Sequence, residues 1–110
     1  MAEKKGVTLG EKMNLAHLAG YQEGSVVSRA VVDKPVATIT VFAFDAGEGL
    51  SEHTAPYDAI VQVLDGEAEV NMEGKVQTVS AGEIVIMPAN KPHSMRAVKR
   101  FKMLLTMIRA

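Results

Sequence analysis

From Gly24 onward the hydrophobic positions recur at a period of two or in short apolar runs, the pattern of strands rather than helices. Val26, Val27, Val31 and Val32 lie in a first run, which Lys34-Pro35 breaks. Val36 to Phe44 follows, β-branched and aromatic throughout. Ile60 to Leu64 is a short apolar run bounded by Asp65-Gly66, a dipeptide that favours a hairpin turn. Glu67 to Met72 alternates cleanly, with Ala68, Val70 and Met72 on one face and Glu67, Glu69 and Asn71 on the other. Glu73-Gly74 signals a second tight turn before Lys75 to Val79, and Ala81-Gly82 a third before Ile84 to Met87. Pro88 and Pro92 flank a corner, after which Ser94 to Val98 and Phe101 to Ile108 complete the series. Short strands with turns every ten residues or so predict an all-β sandwich or barrel.

Ahead of this series, residues 1–23 predict an N-terminal segment, polar and loosely held through residue 12. Asn14 caps a single helical turn over Leu15 to Ala19, which Gly20 and Gly24 terminate. Residues 24–110 form the β domain. Its last strand places Phe101, Met103, Leu105 and Met107 on one face and carries Leu104 and Ile108 on the other. A strand apolar on both faces is covered on both. The cover is either the N-terminal segment or a second subunit, and a homodimer is expected.

Composition narrows the function. The 110 residues fit one domain that buries roughly two-thirds of its unfolded-chain surface. A net charge of −1 gives no field for nucleic acid or anionic membranes. The absence of cysteine excludes disulfides, a thiol nucleophile and thiolate-held metals. Glu3, Lys4 and Lys5 are not followed by an apolar stretch, and no run reaches the ~18 residues that span a bilayer. The expectation is a cytoplasmic protein without nucleic-acid or membrane partners.

Two segments carry candidate chemistry. Gly47 to Gly66 holds a Gly-rich turn, His53, Pro56 and an apolar run, and alternation places His53, Ala55, Ala59, Val61 and Val63 on one inner face. Gly82 to His93 ends in Pro88-Ala89-Asn90, a turn in which Asn tolerates positive φ, and delivers His93 at the head of a strand with Met95 and Ala97 on its face. The two histidines are expected to meet inside the barrel. His17, in the N-terminal turn, reads as a partly exposed surface residue.

These segments resemble the two motifs of small single-domain cupins, whose fold is a jelly-roll barrel or double-stranded β-helix. Gly47, His53 and Gly66 match the first motif; Gly82, Pro88, Asn90 in place of glycine, and His93 match the second. The resemblance covers residues of about 24 to 108 and implies a cupin-type jelly-roll barrel with a short N-terminal helical turn. It also implies a divalent metal held by His, His and Glu of the first motif and His of the second. Here the second His position holds Ala55 and the Glu position Ala59, which leaves His53 and His93 as metal ligands in an incomplete set. A bulge after Pro56 would turn Asp58 inward to join them.

The favoured reading is a small-molecule-binding protein with a mostly apolar pocket presenting His53 and His93 among Val61, Val63, Met87 and Met95. The alternative is a metal-dependent enzyme, dioxygenase- or isomerase-like, with a divalent ion on the two histidines. A third reading is a metal-free enzyme using one imidazole as general acid or base. Met87 and Met95 are soft donors better suited to Cu(I) than to zinc or iron, although methionines that simply fill the barrel are the plainer reading. No ligand, and no catalytic residue, is named by the sequence.

Overall fold

The computed structural model describes residues 7–109, so the polar start of the chain through Gly6, expected to be loosely held, lies outside the described residues. Asn14 caps a 3₁₀ turn, Leu15–His17, by accepting a hydrogen bond from the Ala16 N–H. Eight strands follow: β1 Val26–Lys34, β2 Ala37–Phe44, β3 Gly49–His53, β4 Asp58–Met72, β5 Lys75–Ser80, β6 Ile84–Met87, β7 His93–Arg96 and β8 Phe101–Ile108. All pairings are antiparallel, in the order β1-β2-β8-β4-β7-β3, with β5 and β6 also paired to β4. The architecture is the expected all-β jelly-roll barrel.

One expectation fails informatively. Asp65-Gly66 does not close a hairpin. β4 runs straight through it as one strand of fifteen residues. Gly66 does take positive φ, +74°, but the conformation bends the strand at a register shift between Val63 and Asp65 instead of reversing it. The first half of β4 pairs with β6 and β8, the second half with β5 and β7. The true hairpin lies at Glu73-Gly74, where φ values of 52° and 84° at the two loop residues match a type I′ turn.

Two cores result. Inside the barrel, Phe44 stacks on Phe101 with ring centroids 4.5 Å apart, over Val61, Val63, Val70 and Met103. Outside it, Val7, Leu18 and Ala19 of the N-terminal segment bury Val41 and Ala43 of β2, with Leu64 and Leu104 packed alongside. The N-terminal segment therefore covers part of the second apolar face, and Val7 is held in place within the stretch expected to be loose. Tyr21 reinforces the clasp by donating to Asp65 Oδ2 at 2.5 Å, with Lys102 and Arg100 against its ring. That cover stops short of β6. Ile84 and Ile86 stay more than half exposed on the outer face, beside Ile60, and Ile108 is exposed on the same face of β8.

The bend at Gly66 is testable. A Cβ there would sit 2.3 Å from the Arg100 carbonyl oxygen, at a φ that side chains resist, whereas a Cβ at Gly82 meets nothing within 4 Å. Gly66→Ala should cost about 3 kcal/mol or more, and Gly82→Ala about 1 kcal/mol, by urea denaturation. Equal costs for the two would remove the steric argument.

Candidate functional site

Both histidines are placed by backbone pairing at one end of the barrel. His53 closes β3 and His93 opens β7, and the two are Cα partners across the β3–β7 ladder. Gly49 makes that ladder reachable, since a Cβ at this position would lie 2.3 Å from the Met95 carbonyl oxygen. Ala97 extends the pairing by accepting from the Gly47 N–H (2.7 Å) and donating its own N–H to the Glu48 carbonyl (2.8 Å). At the other end the Asn90 N–H donates to the Ala55 carbonyl at 2.7 Å, tying the two histidine loops together. Asn90 takes φ +64°, as expected where the resemblance has glycine.

A register shift in β3 does what the sequence alone did not reveal. Gly49 and Leu50 pair with Arg96 and Met95, but His53 pairs with His93, one residue out of step. The extra residue is a bulge, and it turns both Leu50 and His53 inward although they are three positions apart. No bulge after Pro56 reverses the outward parity of Asp58. Asp58 keeps its register with Ile108 and points outward, where its Oδ1 accepts from the Ala89 N–H at 2.8 Å. Asp58 is therefore no ligand for the pair.

The imidazole rings meet edge to face with centroids 4.4 Å apart. His53 Nδ1 lies 2.7 Å from the Ser51 carbonyl oxygen and His93 Nδ1 lies 3.1 Å from that of Lys91. A carbonyl only accepts, so each Nδ1 carries the hydrogen and each neutral ring keeps its lone pair on Nε2. His93 is buried, and that burial is the largest cause holding its pKa below the ordinary 6.5; the Lys91 carbonyl opposes the shift and the neighbouring His53 adds to it.

The rings border a cavity of about 90 Å³, lined by Leu50, His53, Ala55, Ala59, Met87, His93, Met95, Met103, Leu105 and Met107. Met87 and Met95 are where the sequence placed them. Val61 and Val63 are not in the wall. They do face inward, but both are at most 1% exposed in the packed core, because the stacked Phe44 and Phe101 and neighbouring side chains fill that level of the barrel. Leu50 and the β8 face of Met103, Leu105 and Met107 take part instead. The alternation along β8 signalled that face; nothing in the sequence signalled the β3 bulge. His17 is exposed and lies outside the site.

The residues do not fit the four-ligand divalent site that the resemblance implies. Ala55 and Ala59 stand in the cavity wall at the lost positions, no carboxylate lines it, and among the described residues no three His, Asp or Glu side chains converge. Two neutral imidazoles leave a dication's charge uncompensated.

Fold and motif geometry together define a double-stranded β-helix with a paired-histidine cavity. The cupin domain family matches residues 40–108, and the chain belongs to it. A conserved protein of unknown function from Streptococcus pyogenes is 30% identical with a TM-score of 0.91, the match covering 100% of this chain and 96% of that one. A cupin superfamily protein from Desulfitobacterium hafniense is 28% identical at 0.89, over 99% and 100% of the two chains. A cupin 2 conserved barrel domain protein from Leptotrichia buccalis is 44% identical at 0.85, over 87% of this chain and 47% of that one. Comparison with curated proteins finds no match.

The depressed His93 pKa makes stability pH-dependent. The unfolded chain holds this proton more tightly than the folded one, so the folded state gains its full advantage above about pH 6.5 and loses it as pH falls through the lower folded-state value. The urea midpoint of the native protein should fall from about pH 7 towards pH 5, and His93→Gln should flatten that slope. An identical slope in the variant would show that other groups govern it.

Proposed function

We propose that this cupin binds a small molecule whose compact apolar part enters the methionine-lined cavity and whose hydrogen-bond donor reaches the two histidines. The observation that carries this reading is the pair of Nδ1–H···O=C bonds, which leaves both neutral rings as acceptors at Nε2 beside an otherwise apolar wall. A hydroxyl or N–H group satisfies such a pair; a bare carbonyl does not. At about 90 Å³ the enclosed space is smaller than the roughly 150 Å³ that accepts a benzene ring, so the buried part of the ligand is only a few heavy atoms.

Short-chain alcohols test this. With the methionine methyl groups labelled, 1-propanol should shift Met87, Met95, Met103 and Met107 saturably, and Ala55→Leu, which narrows the cavity wall, should abolish saturation while the spectrum stays folded. Shifts that stay linear with concentration or spread over the surface would overturn the reading.

We further propose a homodimer formed through the outer face of β6 and its neighbours. Ile84, Ile86 and Ile108 leave there an apolar surface that the N-terminal segment does not cover. Light scattering should give twice the chain mass for the native protein and one chain mass for Ile84→Lys/Ile86→Lys. A monomeric native protein would end the proposal.

A further inference from the structure

We propose that a cleft on the outer side of the barrel wall, between Asp58 and Arg109, binds a small zwitterionic amino acid, its ammonium meeting Asp58 and its carboxylate meeting Arg109. The cleft has a volume of about 280 Å³ and is lined by Pro56, Tyr57, Asp58, Ala89, Ile108 and Arg109, none of which borders the histidine cavity. That volume lies near the lower end of the roughly 300–1,000 Å³ of small-molecule sites. Strand register builds it. Asp58 opens β4 opposite Ile108, and the alternation that turns Ala59 into the barrel turns Asp58 out. Ala89 follows β6, and its N–H donates to Asp58 Oδ1 at 2.8 Å, which fixes the carboxylate at the cleft wall. Arg109 follows β8. Its backbone N–H donates to the Val36 carbonyl at 2.7 Å, its Nη1 donates to the Lys34 carbonyl at 3.2 Å, and its guanidinium lies 5.8 Å from the centre of the Tyr57 ring.

The two opposite charges face one space, and no ion pair joins them. The other end of β8 gives the contrast. Arg100, just before the strand, closes on Asp45 with Nε 2.8 Å from Oδ1. Arg109, just after it, is held instead by the Lys34 carbonyl and the Tyr57 ring, and Asp58 by the Ala89 N–H. Both groups keep unused capacity. Asp58 retains Oδ2, and a guanidinium carries five N–H donors, of which the Lys34 carbonyl takes one. A ligand with a single charge answers one wall of the cleft and leaves the other to water. A ligand with both charges answers both walls, its carboxylate suiting the planar fork of the arginine and its methylenes lying against Tyr57 and Ile108.

The test is an NMR titration at low ionic strength, where exposed charges are least screened, with glycine, 3-aminopropanoate and 4-aminobutanoate, and with butanoate and n-butylamine as single-charge controls. The Ala89 amide and the Arg109 Nε–H report the two walls of the cleft. At least one zwitterion should move both signals saturably, in the millimolar range, and bind about fivefold more tightly than either control. Asp58→Asn, which keeps the acceptor for the Ala89 N–H, should reduce that zwitterion to the level of butanoate, and Arg109→Gln should reduce it to that of n-butylamine; circular dichroism checks that each variant is folded. Ile108 also belongs to the face proposed for self-association, so the titration is run on the native chain and on Ile84→Ser/Ile86→Ser, which alters no charge. A zwitterion advantage in either form supports the site. Its absence from both, shifts that never saturate, or charge variants that keep the advantage would overturn it.

Discussion

The bend in β4 is the constraint on which the rest of the molecule depends. One strand supplies pairing edges to four others, and it can do so only because it changes direction at Gly66 without ending. The turn is enforced by close approach as much as by dihedral angle, since the glycine Cα lies where the Arg100 carbonyl leaves no room for a Cβ. Once β4 is bent, its first half fixes β6 and β8 and its second half fixes β7. That divides the methionines of β6, β7 and β8 around a common space. β7 then receives β3, and the histidine pair follows from that last ladder. The site is thus the final consequence of a strand geometry set some distance away from it.

The electrostatics of the pair follow from its backbone surroundings. Each ring bonds the carbonyl two residues before it, a local arrangement that the strand ends at Ser51–His53 and Lys91–His93 produce independently. Both rings therefore present the same acceptor atom. Burial and the proximity of His53 both disfavour a second proton on His93. Imidazole acceptors in an otherwise apolar wall are what the hydrogen-bond donor of the proposed ligand would meet.

Much of this was legible in the sequence because period-two alternation and turn chemistry are local signals. The inner faces of Ala68–Met72 and Phe101–Met107, the positive φ at Asn90 and the outward Asp58 all follow from local rules. Two features did not. Asp65-Gly66 carries the same chemistry whether the chain reverses or bends, and only the partners available to both halves of β4 decide which occurs. The β3 bulge is likewise a property of the β3–β7 pair, so neither Leu50 nor His53 announces it alone. The misplaced Val61 and Val63 show a third limit of local reasoning: parity tells which way a side chain points, but not whether the barrel is filled or hollow at that depth. The aromatic stack of Phe44 on Phe101 fills it there.

The same point explains how a family member can change its chemistry without changing its fold. Ala55 and Ala59 keep the inward orientation of the ligands they replace, because alternation along the strand is dictated by the barrel and not by the side chain. Removing two polar ligands in this way would leave a void and two stranded imidazoles if nothing else adapted. Methionine is the residue able to adapt from several strands at once, since its unbranched chain reaches into irregular space without demanding a hydrogen-bond partner. The methionine side chains that border the cavity make its wall apolar around the two imidazoles. Packing at this end of the barrel is therefore an answer to the absence of a carboxylate where the strand still points inward.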